Sequence, residues 1–242
     1  MSALPKAPPA WTPTIARLDG IDPAGCLFHV ASPNENFRVR RYGGEREFIA
    51  SMIAALRPGE SFFDVGASVG LVSVHARRRG ARVTAFEPDP AIRARLLGNL
   101  ALNGIDDVHV VDWAVAAGAG RATLYTDGAH GASPSLATTR LRDGVSVRTD
   151  SIDAAVFAGE LRMPDVVKID VEGAEVGVLR GMDQTLRSAR RPRAIYMEVH
   201  PEFIPAFGEE AGTVYALLGA ANYELAHEEQ RDGQLHHVWH AR

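Results

Sequence analysis

The sequence predicts an α/β fold in which a mostly parallel sheet carries helices on both faces. Short apolar runs with strand character alternate with longer segments of helical period, and glycine or proline separates them. Strands that alternate with helices form parallel sheets, because each helix returns the chain to the same edge. The last two strand-like runs are joined by a short polar segment, which predicts an antiparallel hairpin at the sheet edge.

The segment before this alternation is less regular. Residues 1–13 carry four prolines and are predicted to be extended or disordered. Residues 26–42 suggest short strands around a Ser-Pro-Asn turn. Residues 45–56 have apolar side chains at a helical period, and Arg57-Pro58-Gly59 ends that helix.

The alternation itself gives a set of predicted elements. The main strands are predicted over 61–65, 82–86, 108–112, 165–170 and 194–199, followed by a C-terminal pair over 223–227 and 235–240. Helices are predicted over 69–79, 90–103, 151–158, 174–189 and 209–219. Two shorter strands, 122–125 and 145–148, flank a polar loop.

Composition excludes several classes of protein. The 242 residues, 46% of them hydrophobic, suffice for one substantial core. No apolar run is long enough to suggest a membrane span, and the N-terminus lacks the apolar centre of a secretory signal. Cys26 is the only cysteine, which fits a reducing compartment. We therefore expect a cytoplasmic protein without a membrane partner.

The first candidate site follows the strand at 61–65. There the sequence reads Asp64-x-Gly66-x-x-x-Gly70, a glycine turn into a helix, and Glu87 ends the next strand. Glycines let a backbone approach a ligand closely, and an acid after the second strand accepts hydrogen bonds from ribose hydroxyls. The pattern predicts a site for a cofactor that contains adenosine.

Charge selects among such cofactors. The turn lacks the middle glycine of the dinucleotide fingerprint, because Ser68 stands there, and Asp64 precedes the first glycine. An acid at this place repels a pyrophosphate but suits a cofactor with an ammonium group and a sulfonium. S-adenosylmethionine is therefore favoured over NAD. Asp112, at the end of the third strand, is a candidate contact for adenine, with Trp113 or Ala114 packing nearby.

A second constellation lies at the ends of the later strands. Asp170 and Glu172 follow the strand at 165–170, and Glu198 and His200 lie at the end of the strand at 194–199. Carboxyl ends of neighbouring parallel strands line one crevice, so these groups are expected to face the cofactor. His200, Asp170 and Glu198 are candidate catalytic groups, since methyl transfer to a hydroxyl needs removal of its proton. Lys168, in an apolar run, needs a carboxylate partner.

The same four groups raise the question of a metal. Asp170, Glu172, Glu198 and His200 would together suit a hard cation such as Mg²⁺. The sequence does not show that they converge, so it assigns no metal.

Two further segments contain histidines. In the polar loop, His130 and Ser135 are candidates for covering substrate, as is the neighbouring Ser133. The histidines of the C-terminal pair follow no ligand spacing and are interpreted as surface residues of edge strands; they are His227, His236, His237 and His240.

Taken in order, the motifs resemble the FkbM family of S-adenosylmethionine-dependent methyltransferases. The motifs that carry the resemblance are FFDVGASVG, TAFEPDP, LLGNLALNG, VRTDSID, VVKIDVEGAEVGVLRGM and IYMEVHP, within residues 38–205. The resemblance implies a Rossmann-like class I methyltransferase fold, with a seven-stranded sheet and an antiparallel strand in the C-terminal hairpin. It also implies methylation of hydroxyls on natural products or sugars.

The resemblance also implies roles for single residues. The methionine moiety would contact Asp64, Gly66, Ala67 and Gly70, with Ser68 where the family usually has asparagine. Glu87, followed by Pro88, would hold the ribose and Asp112 would lie near adenine, while Asp170 and Glu172 would border cofactor and acceptor. These roles complete the predicted cofactor set, which is Asp64, Gly66, Ala67, Ser68, Gly70, Glu87, Pro88, Asp112, Trp113, Ala114 and Asp170.

The sequence therefore predicts an O-methyltransferase that acts on a hydroxyl of a small molecule. Residues 38–242 would form the methyltransferase domain, and residues 1–37 an extension that acts as a lid or a dimer contact. One alternative is an RNA or protein methyltransferase, which four arginines between 187 and 193 support but the net charge of −4 opposes. Others are an NAD-dependent oxidoreductase and a non-catalytic cofactor-binding protein. A homo-oligomer is left open.

Overall fold

A seven-stranded sheet forms the centre of the protein in a computed structural model that describes residues 12–126 and 144–242. Its strands, in spatial order, are β11 (Tyr223–Arg231), β12 (Gln234–Ala241), β10 (Ala194–Val199), β9 (Val166–Ile169), β3 (Ser61–Val65), β4 (Arg82–Phe86) and β5 (His109–Val111). All neighbours from β10 to β5 pair in parallel, and β12 runs antiparallel to both β10 and β11. The predicted sheet and its antiparallel hairpin strand are confirmed.

Helices cover both faces of this sheet. They are α1 (Pro33–Arg40), α2 (Arg46–Ala55), α3 (Leu71–Arg78), α4 (Pro90–Leu102), α5 (Ile152–Phe157), α6 (Glu175–Arg180), α7 (Asp183–Arg187) and α8 (Gly212–Ala220). Successive strand residues point to opposite faces, so Phe62 packs with α2 to α4 while Phe63 packs with α5 to α8. Both faces are therefore buried, which explains the unbroken apolar runs of the central strands.

A second, smaller sheet follows β5. It contains β6 (Ala114–Val115), β8 (Gly144–Asp150) and β7 (Gly120–Tyr125) in that spatial order. A small apolar cluster of Ala114, Leu124 and Val147 holds it together. The predicted loop residues His130, Ser133 and Ser135 lie outside the described part of the chain.

The segment around the Ser-Pro-Asn sequence differs from the prediction. After β2 (Cys26–Val30) the chain forms helix α1 rather than a turn and a second strand. The hydroxyl of Ser32 accepts a hydrogen bond from the Glu35 amide at 3.1 Å, and the Glu35 carboxylate accepts one from the Ala31 amide. Pro33 occupies the first helical turn. A serine followed by proline and then glutamate is a helix start, and the strand prediction for these residues is wrong.

Residues ahead of the main sheet pack onto it. Strand β2 pairs with β1 (Thr14–Leu18), and two asparagine side chains, one in α4 and one directly after it, bind its free edge. The side-chain oxygen of Asn99 accepts from the His29 amide, and that of Asn103 accepts from the Leu27 amide. The role of residues 1–37 as a lid or dimer contact stays a prediction.

The helix predicted over 174–189 is two helices, α6 and α7. They separate at Gly181, where a Cβ atom would lie only 2.0 Å from the carbonyl oxygen of Ala116. The carboxylate of Asp153 then accepts hydrogen bonds from the amides of Gln184 and Thr185, which starts α7 afresh. Among the described residues, none of the helices is both long and apolar enough to cross a bilayer.

Candidate functional site

A cavity of about 540 Å³ opens at the carboxyl ends of β3, β4, β9 and β10. This volume is typical of a small-molecule site. Most of the predicted site residues lie on its wall, namely Gly66, Ala67, Ser68, Glu87, Pro88, Trp113, Ala114, Asp170, Glu172 and Glu198. Of the predicted residues within 12–126 and 144–242, four do not line it, namely Asp64, Gly70, Asp112 and His200.

The turn between β3 and α3 forms one end of the cavity. Gly66 has a φ of +79°, and a Cβ atom there would lie 1.8 Å from the carbonyl oxygen of Asp170. Only glycine fits this position, because a side chain would collide with the backbone that follows β9. Gly70 also has a positive φ and packs against Leu96 behind the turn, which keeps it off the cavity wall.

Glu87 is a buried carboxylate at the cavity wall. One of its oxygens accepts a hydrogen bond from the Ser68 amide at 2.9 Å, and the other accepts one from the Asp89 amide at 2.9 Å. Burial raises the pKa of Glu87 to about 8. Each oxygen keeps a lone pair beyond these bonds, so the fixed carboxylate can still accept hydrogen bonds from a vicinal diol.

Asp64 lies behind the turn rather than on the cavity wall. It is fully buried; the Ser73 hydroxyl donates to one of its oxygens at 2.6 Å, and the Lys168 ammonium lies 3.2 Å from the other. Its charge is therefore balanced inside the protein, and the proposed repulsion of phosphate by Asp64 does not act at the cavity surface. The structure corrects that argument, although it confirms that Lys168 has carboxylate partners.

Lys168 connects the two ends of the crevice. Its ammonium donates to the carbonyl oxygen of Gly66 at 2.7 Å and lies 3.4 Å from the Asp170 carboxylate. Burial alone would lower the pKa of Lys168, but the charges of Asp64 and Asp170 outweigh that effect and raise it. The lysine is therefore a fixed cation that holds the turn and the end of β9 together.

The residues after β5 divide between the cavity and the surface. Trp113 and Ala114 line the cavity, whereas Asp112 is exposed and lies off it. Trp113 packs edge-on against Phe86 with ring centroids 5.2 Å apart, and the Arg148 guanidinium lies 5.6 Å from its ring. This part of the wall offers an aromatic surface rather than the predicted carboxylate.

The opposite wall is acidic, and His200 stands behind it. Nδ1 of His200 lies 2.7 Å from a carboxylate oxygen of Glu175, while Nε2 lies 3.6 Å from oxygens of Glu172 and Glu198. Burial lowers the pKa of His200, but the hydrogen bond with Glu175 and the nearby carboxylates outweigh it and raise the pKa to about 9. At neutral pH both ring nitrogens of His200 therefore carry a proton, and this charged imidazole does not favour the predicted role of general base.

The sequence did not predict two residues at the acidic wall. They are Glu45, which precedes α2 and lines the cavity, and His236 in β12, which lies behind the wall. Burial, followed by the charge of Asp170, raises the pKa of both Glu45 and Glu198, whose carboxylate oxygens lie within 4.8 Å of each other. No local motif marks either residue, since their proximity depends on the pairing of β10 with β12.

The prediction that the C-terminal histidines are surface residues is wrong for two of them. His236 and His237 are buried, with relative exposures of 1% and 0%. The reason is the position of β12, which lies between β10 and β11 rather than at the edge. His237 packs toward Tyr215, whereas His236 stacks on Phe48 with ring centroids 4.4 Å apart.

Two overlapping groups within the described residues bring metal-ligating atoms within 4.8 Å of one another. One group contains Asp170, Glu198 and His200, and the other contains Glu45, Glu198 and His236. Three of the four residues predicted from the sequence as a metal set thus converge. Glu172 lies beside them, 3.6 Å from His200, but is in neither group.

Comparison with known proteins supports one class of activity. Residues 64–225 match the family model described as Methyltransferase FkbM domain. The hexuronic acid methyltransferase AglP of Haloferax volcanii is 29% identical over 194 residues, which cover 78% of this chain and 75% of that protein. The 31-O-demethyl-FK506 methyltransferase FkbM of Streptomyces tacrolimicus is 29% identical over 235 residues, which cover 83% of this chain and 86% of that protein.

Solved structures support the fold. The magnesium protoporphyrin IX methyltransferase of Synechocystis PCC 6803, solved with S-adenosylmethionine bound, superposes with a TM-score of 0.51 at 13% identity. The superposition covers 84% of this chain and 82% of that one. The chain therefore has the Rossmann-like class I methyltransferase fold that the sequence predicted.

Proposed function

Because the chain belongs to the Methyltransferase FkbM domain family, we propose that this methyltransferase moves the methyl group of S-adenosylmethionine to a hydroxyl oxygen of a small molecule. The observation that carries the proposal is the division of the cavity. One end offers a fixed carboxylate and an aromatic wall, and the other end offers crowded carboxylates. A nucleoside suits the first end, and a hydroxyl that must lose a proton suits the second.

The residues at the first end fit S-adenosylmethionine. Glu87 presents accepting oxygens to two neighbouring hydroxyls, and Trp113 offers a flat apolar surface for a base. Gly66 brings the backbone close to the cavity without a side chain. When bound, the cofactor supplies an electrophilic methyl group on a sulfonium. The chain contributes orientation, which is a large part of the rate enhancement in a displacement of this kind.

The residues at the second end would bind and deprotonate the acceptor. As the acceptor oxygen forms its bond to the methyl carbon, the carbon–sulfur bond breaks and the hydroxyl proton leaves. Asp170 and Glu172 line the cavity and can take that proton, whereas the raised pKa of Glu198 keeps that group protonated at neutral pH. His200 lies behind them, so we assign it the positioning of Glu172 and Glu198 rather than direct contact with the acceptor.

The names of two relatives support the acceptor class. One relative is named for hexuronic acid, and the name of the other specifies an oxygen as the methylated atom. Three of the four arginines that suggested an RNA partner are engaged within the protein. Arg187 binds Asp183, Arg191 donates to the carbonyl oxygen of Arg242, and Arg193 binds Glu60. This engagement favours a small-molecule acceptor.

The test has a binding step and a transfer step. Calorimetry should show saturable binding of S-adenosylmethionine and S-adenosylhomocysteine but not of NAD. Methyl-labelled cofactor is then incubated with a methyl glucuronoside and other polyhydroxylated small molecules, with matched amines as controls. We expect labelled product from a hydroxyl compound, and the label should survive mild alkali, as an ether does and an ester does not. Transfer only to amines, to carboxylates or to RNA would overturn the proposal.

A further inference from the structure

Glu198 lies at the centre of two groups of side chains whose nitrogen and oxygen atoms could bind a metal ion. Asp170 and His200 lie on one side of it, and Glu45 and His236 lie on the other. Asp170 and Glu198 also line the cavity, so a group held between them would face an acceptor. A cluster of carboxylates is not by itself evidence of a metal site, but the buried imidazole of His200 adds a nitrogen ligand.

The orientation of His200 is fixed from outside the cluster. Its Nδ1 shares a hydrogen with Glu175, a carboxylate with no solvent exposure that also accepts from the Gly173 amide at 2.9 Å. This leaves Nε2, in a side chain only 2% exposed, without a hydrogen-bond partner among the residues that the structure describes. A carboxylate that binds the far nitrogen of a histidine is the usual arrangement behind a metal-ligating imidazole.

The distances around Nε2 fit two ligands of one ion better than a hydrogen bond. Nε2 lies 3.6 Å from an oxygen of Glu198, which is too long for a hydrogen bond. Two ligands that each lie about 2.1 Å from a tetrahedral ion are separated by roughly 3.4 Å. An ion between His200 and Glu198 therefore needs a small movement of either side chain, and it would displace the protons that these two groups carry at neutral pH.

We propose that Asp170, Glu198 and His200 bind a divalent first-row transition metal ion. Glu175 holds His200 in place from outside the site, and Glu45 places a carboxylate oxygen within 4.8 Å of the Glu198 carboxylate. An imidazole with two carboxylates suits Mn²⁺, Fe²⁺ or Zn²⁺ better than Mg²⁺, which prefers oxygen ligands throughout.

The use of the ion rests on the proposed function, whereas its binding does not. Three protein ligands leave coordination positions open toward the cavity. An acceptor hydroxyl placed there would lose its proton more readily, because a cation stabilises the alkoxide. Glu172, which lines the cavity beside the cluster, would then receive the proton.

The test measures Mn²⁺ binding directly. Full-length protein is treated with EDTA, freed of chelator and titrated with MnCl₂, and the free ion is followed by electron paramagnetic resonance. We expect saturation at one ion per chain, with Zn²⁺ displacing Mn²⁺ and equimolar Mg²⁺ failing to do so. No saturable binding by the unaltered protein would overturn the proposal, and so would equal displacement by Mg²⁺.

Variants locate the ion. We expect His200→Asn and Glu198→Gln to abolish saturation, and Glu175→Gln to weaken affinity by about 10- to 100-fold through loss of the outer partner. His227→Asn, an exposed histidine beside Glu229, is the matched control and should bind normally. Unchanged Mn²⁺ affinity in folded His200→Asn would contradict the assignment. Should that variant unfold, broadening of the His200 resonances by Mn²⁺ in the unaltered protein replaces it, and absence of broadening overturns the proposal.

Two outcomes separate this proposal from the proposed function. Methyl transfer that continues at full rate in EDTA, with no Mn²⁺ bound, would overturn the metal site and leave the O-methyltransferase. Saturable Mn²⁺ binding without transfer to any hydroxyl would support the metal site and overturn the proposed O-methyltransferase.

Discussion

The two ends of the crevice are built in different ways. At the end lined by Glu87 and Trp113, which we call the nucleoside end, Glu87 accepts hydrogen bonds from the amide of Asp89 and from that of Ser68 in the turn after β3. At the acidic end, the side chains come from separate elements, and His200 and His236 each keep a buried nitrogen without a hydrogen-bond partner among the described residues. The Glu87 carboxylate is thus fixed by backbone amides of the protein, while the acidic end has buried nitrogens that a bound group would satisfy.

Breaking the connection between the two ends should have the largest effect. Lys168→Met removes the cation that contacts Asp64 on one side and Asp170 on the other. Asp64 would remain buried and charged, and loss of one partner of such a pair costs about 3–5 kcal/mol. Urea unfolding should show this loss in the free energy of unfolding.

The matched control adds Asp64→Asn to Lys168→Met. Most of the lost stability should return, because no unpaired charge remains buried. A loss below about 1 kcal/mol in the single variant would show that Lys168 does not join the two ends.

Gly66→Ala should have the next largest effect. The new Cβ would meet the carbonyl oxygen of Asp170 at 1.8 Å, at a backbone φ of +79°. Strain and collision together should cost about 3 kcal/mol in the free energy of unfolding. Gly59→Ala is the control, because Gly59 has a similar φ of +84° with nothing within 4 Å, so it should cost only about 1 kcal/mol. Equal losses in the two variants would exclude the close approach as the cause.

The smallest expected effect is a pH dependence of ligand binding at Glu87, in the nucleoside end. The pKa of Glu87 is about 8, so Glu87 is mostly protonated below that pH. Only the ionised carboxylate accepts hydrogen bonds fully from both ribose hydroxyls. S-adenosylhomocysteine should therefore bind more weakly as the pH falls from 8.5 to 6.5, by at most about tenfold per pH unit. Calorimetry on Glu87→Gln should show weaker binding without this added pH dependence. An identical pH profile in both proteins would contradict ribose binding by Glu87.

Much of the fold was predictable because it depends on local signals. Strands β3, β4 and β10 have the bounds predicted from the sequence, since each is a short buried run between clear turns. Helix α1 was not predicted, because a Ser-Pro sequence begins helices as well as turns and only the following Glu35 decides between them.

The candidate site divides in the same way. Glu87, Asp170 and Glu198 were predicted from their places at the ends of parallel strands, where the rule for α/β folds applies. Glu45 and His236 could not be predicted, because their proximity depends on strand order across the whole sheet. Asp64 was given the wrong surroundings, since its burial with Lys168 depends on packing between β3 and β9.

The position of β12 has a consequence for how the protein is made. This strand follows the others in the sequence yet lies inside the sheet, where it brings His236 beside Glu198. A chain emerging from the ribosome can form the turn around Gly66 and Glu87 once β9 has supplied Lys168, while the acidic end still lacks His236. During synthesis the protein should therefore acquire affinity for the nucleoside before it can hold an acceptor, so that a partly made chain binds cofactor without acting on it.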